Sequence, residues 1–300
     1  SRLSQIGIFV SIILLFVTLL FGVSKGNASR WIMGFQPSDF AKLILILYVS
    51  RTLTTKKDDI KDFKKGLMPI LWPVLVICGL ILPADFSTAA MLLIVCFTMM
   101  FIGGAKITHL ASIIGTAIVG FLFLILLNMA FPGFLPRVDT WEKRMMSYGS
   151  GDKQENYQAE MAKRAVANGF LFGKGPGKGH VKNDLYSAQS DFIYASSIEE
   201  FGSIIGGIGL LLLYMILFFR AIRIMNKVDS KFASYLVFGL SFMLIFQSFI
   251  NMGVGVNLFP VTGQPLPLIS MGGTSILFTC VSLGIILNVS STVYNESNNV

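Results

Sequence analysis

Charge is scarce in this chain. Only 13% of its 300 residues are Asp, Glu, Lys or Arg, about half of the ~25% found in an ordinary soluble domain. That shortage excludes a disordered, charge-solvated chain. Together with 54% hydrophobic residues and a mean hydropathy of +0.71, it also argues against a soluble globular fold. Cysteine is nearly absent: Cys78, Cys96 and Cys280 all lie inside apolar runs, where a cysteine behaves as a small hydrophobe and no disulfide framework forms. The only histidines are His109 and His180, neither beside a cysteine or the other, so a zinc site is not expected. The net charge of +8 reads as a topology signal in a membrane chain and not as a nucleic-acid footprint.

What the chain does have is long apolar runs. A hydrocarbon core of about 30 Å takes roughly 20 residues of helix, and eight windows qualify: 7–23, 38–53, 67–82, 86–103, 108–131, 198–220, 232–252 and 272–292. The second is the weakest, because Lys42 interrupts it. Leu82-Pro83-Ala84-Asp85 separates the third from the fourth, and its proline and aspartate mark a turn and a helix start. The expected fold is an all-α polytopic membrane protein with eight transmembrane helices. Residues 1–131 hold five spans, 132–197 form one large extracytoplasmic loop, and 198–300 hold three spans with a Gly/Pro-rich external segment at 253–275.

Lys and Arg in the short loops set the orientation. One side carries twelve: Arg2, six between Arg51 and Lys65, Lys106, and four between Arg220 and Lys231; the other carries only Lys25 and Arg30. Both termini are therefore expected in the cytoplasm. The loop 132–197 lies outside, and contains a helix-compatible stretch from Tyr157 to Asn168 followed by GKGPGKG at 173–179.

Four constellations bear on chemistry. In QPSDFAK at 36–42, Asp39 and Lys42 are three apart, so they share a helix face and should pair at the membrane edge. The bland reading is a structural pair that fixes the helix. GKGPGKG is no Walker loop, since Gly179 follows Gly177-Lys178 and Phe172 stands five before Gly177. Its amides and the point charges of Lys174 and Lys178 suit an anion such as a lipid diphosphate; otherwise it is a flexible basic loop. Asp191 stands where the large loop re-enters the membrane. It is either a helix cap or a carboxylate beside apolar surface acting as general base. The segment 253–275 has five glycines, three prolines and no charge, and non-helical backbone at membrane depth requires burial or a cavity. Thr262, Gln264, Ser270, Thr274 and Ser275 are its hydrogen-bonding groups, either toward a ligand or within a packed turn.

These pieces, in this order, resemble the SEDS family (shape, elongation, division, sporulation), and within it the FtsW branch. They are RWI at 30–32, QPSDFAK at 36–42, Asp85 with Thr88-Ala89, GKGPGKG at 173–179, SDFIYASSIEEFG at 190–202 and NMGVGVNLFPVTGQPLPLISMGGTS at 251–275. The chain departs from the family pattern at Asp39, usually Glu, at Gln189-Ser190, usually His-Thr, and at Asn257, Gln264 and Met271, commonly Gly, Ile and Tyr. The family pattern has ten spans, of which this chain would lack the first two.

The resemblance implies a peptidoglycan glycosyltransferase that polymerises lipid II at the outer face of a bacterial cytoplasmic membrane, at the division septum. By that likeness Asp191 is the catalytic base, Asp39 and Lys42 support the cavity, and Lys174, Lys178 and Arg137 are candidates to stabilise the leaving diphosphate. A divalent cation, Mg or Mn, is the alternative source of that stabilisation; no other cofactor is implied. Expected partners are lipid II, a class B penicillin-binding protein (a transpeptidase), other division proteins and membrane lipids, with no nucleic acid. Two competing readings stay open: a lipid II flippase, which requires alternating access, and a non-catalytic division scaffold.

Overall fold

The computed structural model describes residues 2–25, 28–32, 34–130, 153–179, 181 and 188–298. Ten helices occur among them: α1 (Arg2–Phe21), α2 (Pro37–Thr55), α3 (Met68–Ile81), α4 (Phe86–Ile102), α5 (Ile107–Ala130), α6 (Lys153–Gly169), α7 (Ile193–Gly202), α8 (Leu210–Lys227), α9 (Lys231–Gly255) and α10 (Gly273–Asn298). A π-helical turn, Phe63–Leu67, leads into α3, and another, Ser203–Gly209, joins α7 to α8. Each of the eight apolar windows falls on a helix. Five helical stretches among the described residues are long and apolar enough to cross a membrane: Leu3–Phe21, Phe63–Ile81, Ile193–Lys227, Lys231–Gly255 and Gly273–Tyr294. Phe86–Ile102 and Ile107–Gly120 are shorter apolar helices. The helix α2 carries Asp39, Lys42 and Arg51, which lower its hydropathy.

Two expectations need correction. The chain is not wholly helical: β1 (Val23–Lys25) and β2 (Ala28–Trp31) form an antiparallel pair, with Val23 opposite Trp31 and Lys25 opposite Ala28. Pairing the backbone satisfies peptide groups that a bare loop at the membrane boundary would leave to water. The sixth window begins five residues early, at Ile193, and runs as one 35-residue stretch to Lys227. At 1.5 Å per residue that is roughly 50 Å, so its first turns stand above a 30 Å core. Within the loop 132–197, the helix-compatible stretch Tyr157–Asn168 falls inside α6, which spans Lys153–Gly169 and packs on α7.

The helix α9 organises the bundle, touching α2, α4, α7, α8 and α10. Small residues make this possible, as close backbone approach drives helix association in lipid. A Cβ on Gly239 would sit 2.6 Å from Ile46 Cγ2 and 2.7 Å from Met99 Sδ, so any side chain there would wedge α9 off α2 and α4. The core between these helices is made by Leu45, Ile46, Val49, Leu92, Val95 and Val237, all fully buried. Hydroxyls inside the helices bond the preceding turn, as in Ser50 Oγ to Ile46 O at 2.7 Å and Ser248 Oγ to Leu244 O at 2.8 Å. That removes the cost of an unsatisfied donor away from water. The outer surface stays apolar, with Leu3, Phe21, Val119 and Leu287 exposed, as lipid contact demands.

Candidate active site

Asp191 lies half-buried in the turn that leads into α7. It is not the cap of that helix: the cap position is Phe192, and no side-chain cap bond is made there. The turn is fixed through its backbone by α9 and by the segment 256–272. Asn251 Nδ2 on α9 donates to the carbonyls of Asp191 at 3.1 Å, Ser190 at 3.4 Å and Gln264 at 2.7 Å. Ser270 Oγ donates to Ser190 O at 2.7 Å and accepts from Leu266 N at 2.7 Å, while Met271 N donates to Gln189 O at 2.9 Å. These bonds place the Asp191 backbone through its own carbonyl and that of Ser190. The Gly/Pro-rich segment is thus a clamp, its own carbonyls held by Asn251, by Gln247 Nε2 to Pro265 O at 2.8 Å, and by the Tyr214 hydroxyl to Pro267 O.

A second polar cluster adjoins the same clamp. Arg30 from β2 donates through Nε to Ala84 O at 2.9 Å and pairs with Asp85 at 3.3 Å. Asp85 is buried and caps α4 by accepting from Thr88 N at 3.0 Å, a use of the helix N-terminus that favours a carboxylate. Gln264 Nε2 then reaches Asp85 Oδ2 at 3.3 Å and Thr88 Oγ1 at 2.7 Å. One chain of bonds therefore links Arg30, Asp85, Gln264 and Asn251 to the Asp191 turn. Gln264 stands here as an internal strut, and so does Ser270. Thr262 Oγ1 and Thr274 Oγ1 are buried without a hydrogen-bond partner among the described residues, which leaves both able to meet a ligand.

The glycine-rich loop finds its anion inside the protein. Lys174 N donates to Glu199 O and Gly175 N to Glu200 O, both at 2.9 Å, and Gly177 N donates to Glu200 Oε2 at 3.0 Å. The Glu199 side chain is completely buried, receiving Lys174 Nζ and Asn168 Nδ2 at 3.4 Å and Val181 N at 3.2 Å. Lys174, expected on a diphosphate, is engaged by Glu199 because that carboxylate has no water to stabilise it. Lys178 is exposed. Arg137 lies outside the described residues.

Deeper in the bundle, Asp39 and Lys42 do pair, Nζ to Oδ1 at 2.7 Å, with side chains only 6% and 10% exposed. They line a cavity of about 40 Å³ between α2, α9 and α10 that also takes in Gln247, Ser275, Thr279 and Ser282. Asp39 Oδ2 is buried with no hydrogen-bond partner among the described residues, and the cavity is polar and roomy enough to be hydrated. No cluster of three His, Cys, Asp or Glu suited to a metal ion occurs among the described residues.

Arg30, Asp85, Asn251 and Glu199 are the residues that sequence reasoning left out of the site. A signal existed for each, since polar groups in apolar segments are costly and generally functional. Their partners were not legible: Gln264 and Asp85 are 179 positions apart, Asn251 and Asp191 60.

The cell cycle protein family model FTSW_RODA_SPOVE matches residues 1–295. A probable peptidoglycan glycosyltransferase FtsW from Escherichia coli O6:H1 is 32% identical over 96% of this chain and 70% of that protein. Stage V sporulation protein E from Bacillus subtilis is 33% identical over 97% of this chain and 78% of its own length. Among solved structures, a chain from a peptidoglycan synthase complex, studied for how polymerization and crosslinking are coordinated, superposes with TM-score 0.76. It is 26% identical over 98% of this chain and 82% of that one. The rod shape determining protein RodA of Thermus thermophilus gives TM-score 0.64 at 26% identity, covering 98% and 80%. With the family model spanning nearly every residue, and sequence relatives and solved structures agreeing, this chain belongs to the FtsW/RodA/SpoVE family of cell cycle proteins, the SEDS proteins.

Proposed function

We propose that this protein is a peptidoglycan glycosyltransferase that polymerises lipid II. The observation that carries the reading is the Asp191 turn, clamped by Asn251 and Ser270 where the large loop meets the membrane bundle. A fixed, half-buried carboxylate beside apolar surface is a suitable general base. In this reaction Asp191 takes the proton of the acceptor sugar hydroxyl. The hydroxyl oxygen forms a bond to the anomeric carbon of the donor from the face opposite its diphosphate. The bond to the diphosphate oxygen breaks, its electron pair leaves with undecaprenyl diphosphate, and the configuration inverts. Charge develops on the leaving diphosphate. Lys178, Arg137 and the hydroxyls of Thr262 and Thr274 are the groups proposed to meet the substrate. A divalent cation, Mg or Mn, would be held chiefly by diphosphate oxygens and water with one or two side chains, as such ions commonly are.

The same reading takes all eight apolar helices as spans, with both termini in the cytoplasm of a bacterial cell and Asp191 on the outer face. A class B penicillin-binding protein is the proposed partner and the division septum the proposed location; the similar chain from a peptidoglycan synthase complex supports such a partnership. The decisive assay is glycan polymer formed from purified lipid II by the protein with that transpeptidase. Polymer is expected; its absence, with lipid II still bound, would favour a transporter or scaffold.

Orientation is checked separately. Cysteines introduced at Lys57 and Lys163, both exposed, should react oppositely with an impermeant thiol reagent on intact cells, Lys163→Cys labelling and Lys57→Cys not. The reverse pattern would place the Asp191 turn in the cytoplasm and end the proposal.

A further inference from the structure

Between α6 and the glycine-rich loop the chain makes a turn, Phe170-Leu171-Phe172, whose side chains join no buried cluster among the described residues. Phe170 is 74% and Phe172 79% exposed, and Leu171 is exposed as well. Three consecutive large apolar residues facing water would be an aggregation liability on an external loop. The turn is nevertheless held firmly. Ser203 N donates to Phe170 O at 2.9 Å and Ile204 N to Leu171 O at 3.3 Å. The fit is backbone against backbone: a Cβ on Gly202 (φ +80°) would lie 2.2 Å from Leu171 O, and one on Gly169 2.0 Å from Ile198 O. Phe170 itself is held at φ +45°, a conformation an aromatic residue adopts only under constraint.

Those bonds fix the height of the turn along the span Ile193–Lys227. Residues 203–219 are uncharged, and Arg220 and Arg223 follow, a basic pair that marks the opposite headgroup region. Counting back from Arg220 at 1.5 Å per residue, Ser203 and Ile204 lie about 25 Å away, near the far edge of a core about 30 Å thick. The turn therefore sits at the membrane boundary on the side of the large loop. Phe201, Ile204 and Ile205 are exposed beside it, so the aromatic pair continues the lipid-facing surface of the span.

We infer that Phe170-Leu171-Phe172 is a membrane-interface anchor, inserted among the headgroups and upper acyl chains on the large-loop side. The occupant of this apolar surface is lipid, because the turn is tied by its backbone to Ser203 and Ile204 and stands beside Phe201, Ile204 and Ile205, exposed apolar residues of a stretch long enough to cross a membrane. Its backbone ties to Ser203 and Ile204 hold α6, α7 and the glycine-rich loop at a set height over the membrane. This holds whether or not Asp191 is a catalytic base.

Site-directed spin labelling tests it in the full chain. In a Cys280→Ser background, with Cys78 and Cys96 left buried, single labels go at Phe172→Cys, at Ile205→Cys as lipid reference and at Lys163→Cys as aqueous reference. The protein is reconstituted in phosphatidylethanolamine and phosphatidylglycerol vesicles, and accessibility to oxygen is compared with that to a water-soluble nickel chelate. The oxygen-to-nickel ratio at Phe172 is expected to be several-fold above that at Lys163 and to approach that at Ile205. A ratio equal to that at Lys163 would place the turn in water and overturn the anchor. Shielding from both probes would mean that a protein surface covers the turn, a second copy or another chain, and would overturn lipid as its occupant.

Discussion

Asp191→Asn is expected to lower glycan polymerisation by about 10²–10⁴-fold while leaving the fold and lipid II binding intact. Asparagine keeps the size of the side chain and can still accept a hydrogen bond, but it cannot take a proton at neutral pH. Its backbone would be held as before, because Asn251 and Ser270 grip the carbonyls of Ser190 and Asp191 and not the carboxylate. A structural Asp191 whose contacts an amide of the same shape can reproduce predicts almost no change. The measurement is polymer from lipid II in detergent or liposomes, with binding by the same variant alongside. Retained binding with polymer lost supports the base. Wild-type turnover by the Asn variant would falsify it and return the residue to a structural role.

The second large effect belongs to Asp39 and Lys42. Their side chains are nearly buried and 2.7 Å apart, so removing either strands a charge in the bundle. Breaking a buried pair costs about 3–5 kcal/mol, much of it the penalty of the unpaired partner. Asp39→Ala and Lys42→Ala should each lower stability by that order, and the double variant by clearly less than their sum. Thermal unfolding in detergent, followed for the two singles and the double, gives the coupling. Additive losses would show that the contact contributes nothing. The cavity beside the pair adds a contrast: Ser275→Ala, on the same wall, removes no charge and should cost far less.

Particular residues show how much was legible beforehand. The Asp39–Lys42 pair could be read because three positions along a helix is a local relation. The break at Pro83-Asp85 was readable for the same reason, and Asp85 does cap α4. The glycine-rich loop was readable as an anion cradle, but its contacts with Glu199 and Glu200, some 25 positions on, were not. Lys174 pairs with Glu199 at 3.4 Å. Helix pairing in three dimensions brings these groups together, and no periodicity encodes it. Gln264 is the sharpest case, a polar residue in an apolar segment whose partners Asp85 and Thr88 come from another helix. The β1–β2 pair was missed because strands of three and four residues carry no readable alternation.

The amino-acid sequence by itself determined that this is a helical membrane protein and where its helices run. The hydrocarbon core imposes length and apolarity on each segment separately, so every span is a local property of the chain. The sequence also determined the family, because its motifs occur in order along nearly all of the chain. Only the tertiary structure decided which polar groups far apart in the chain meet. In an apolar medium each buried donor, acceptor or charge must find a partner or a cavity, and the partner is chosen by helix packing across tens to hundreds of residues. That is why Asn251 came to hold the Asp191 turn, why Glu199 captured Lys174, and why the aromatic turn at Phe170 came to be tied to Ser203.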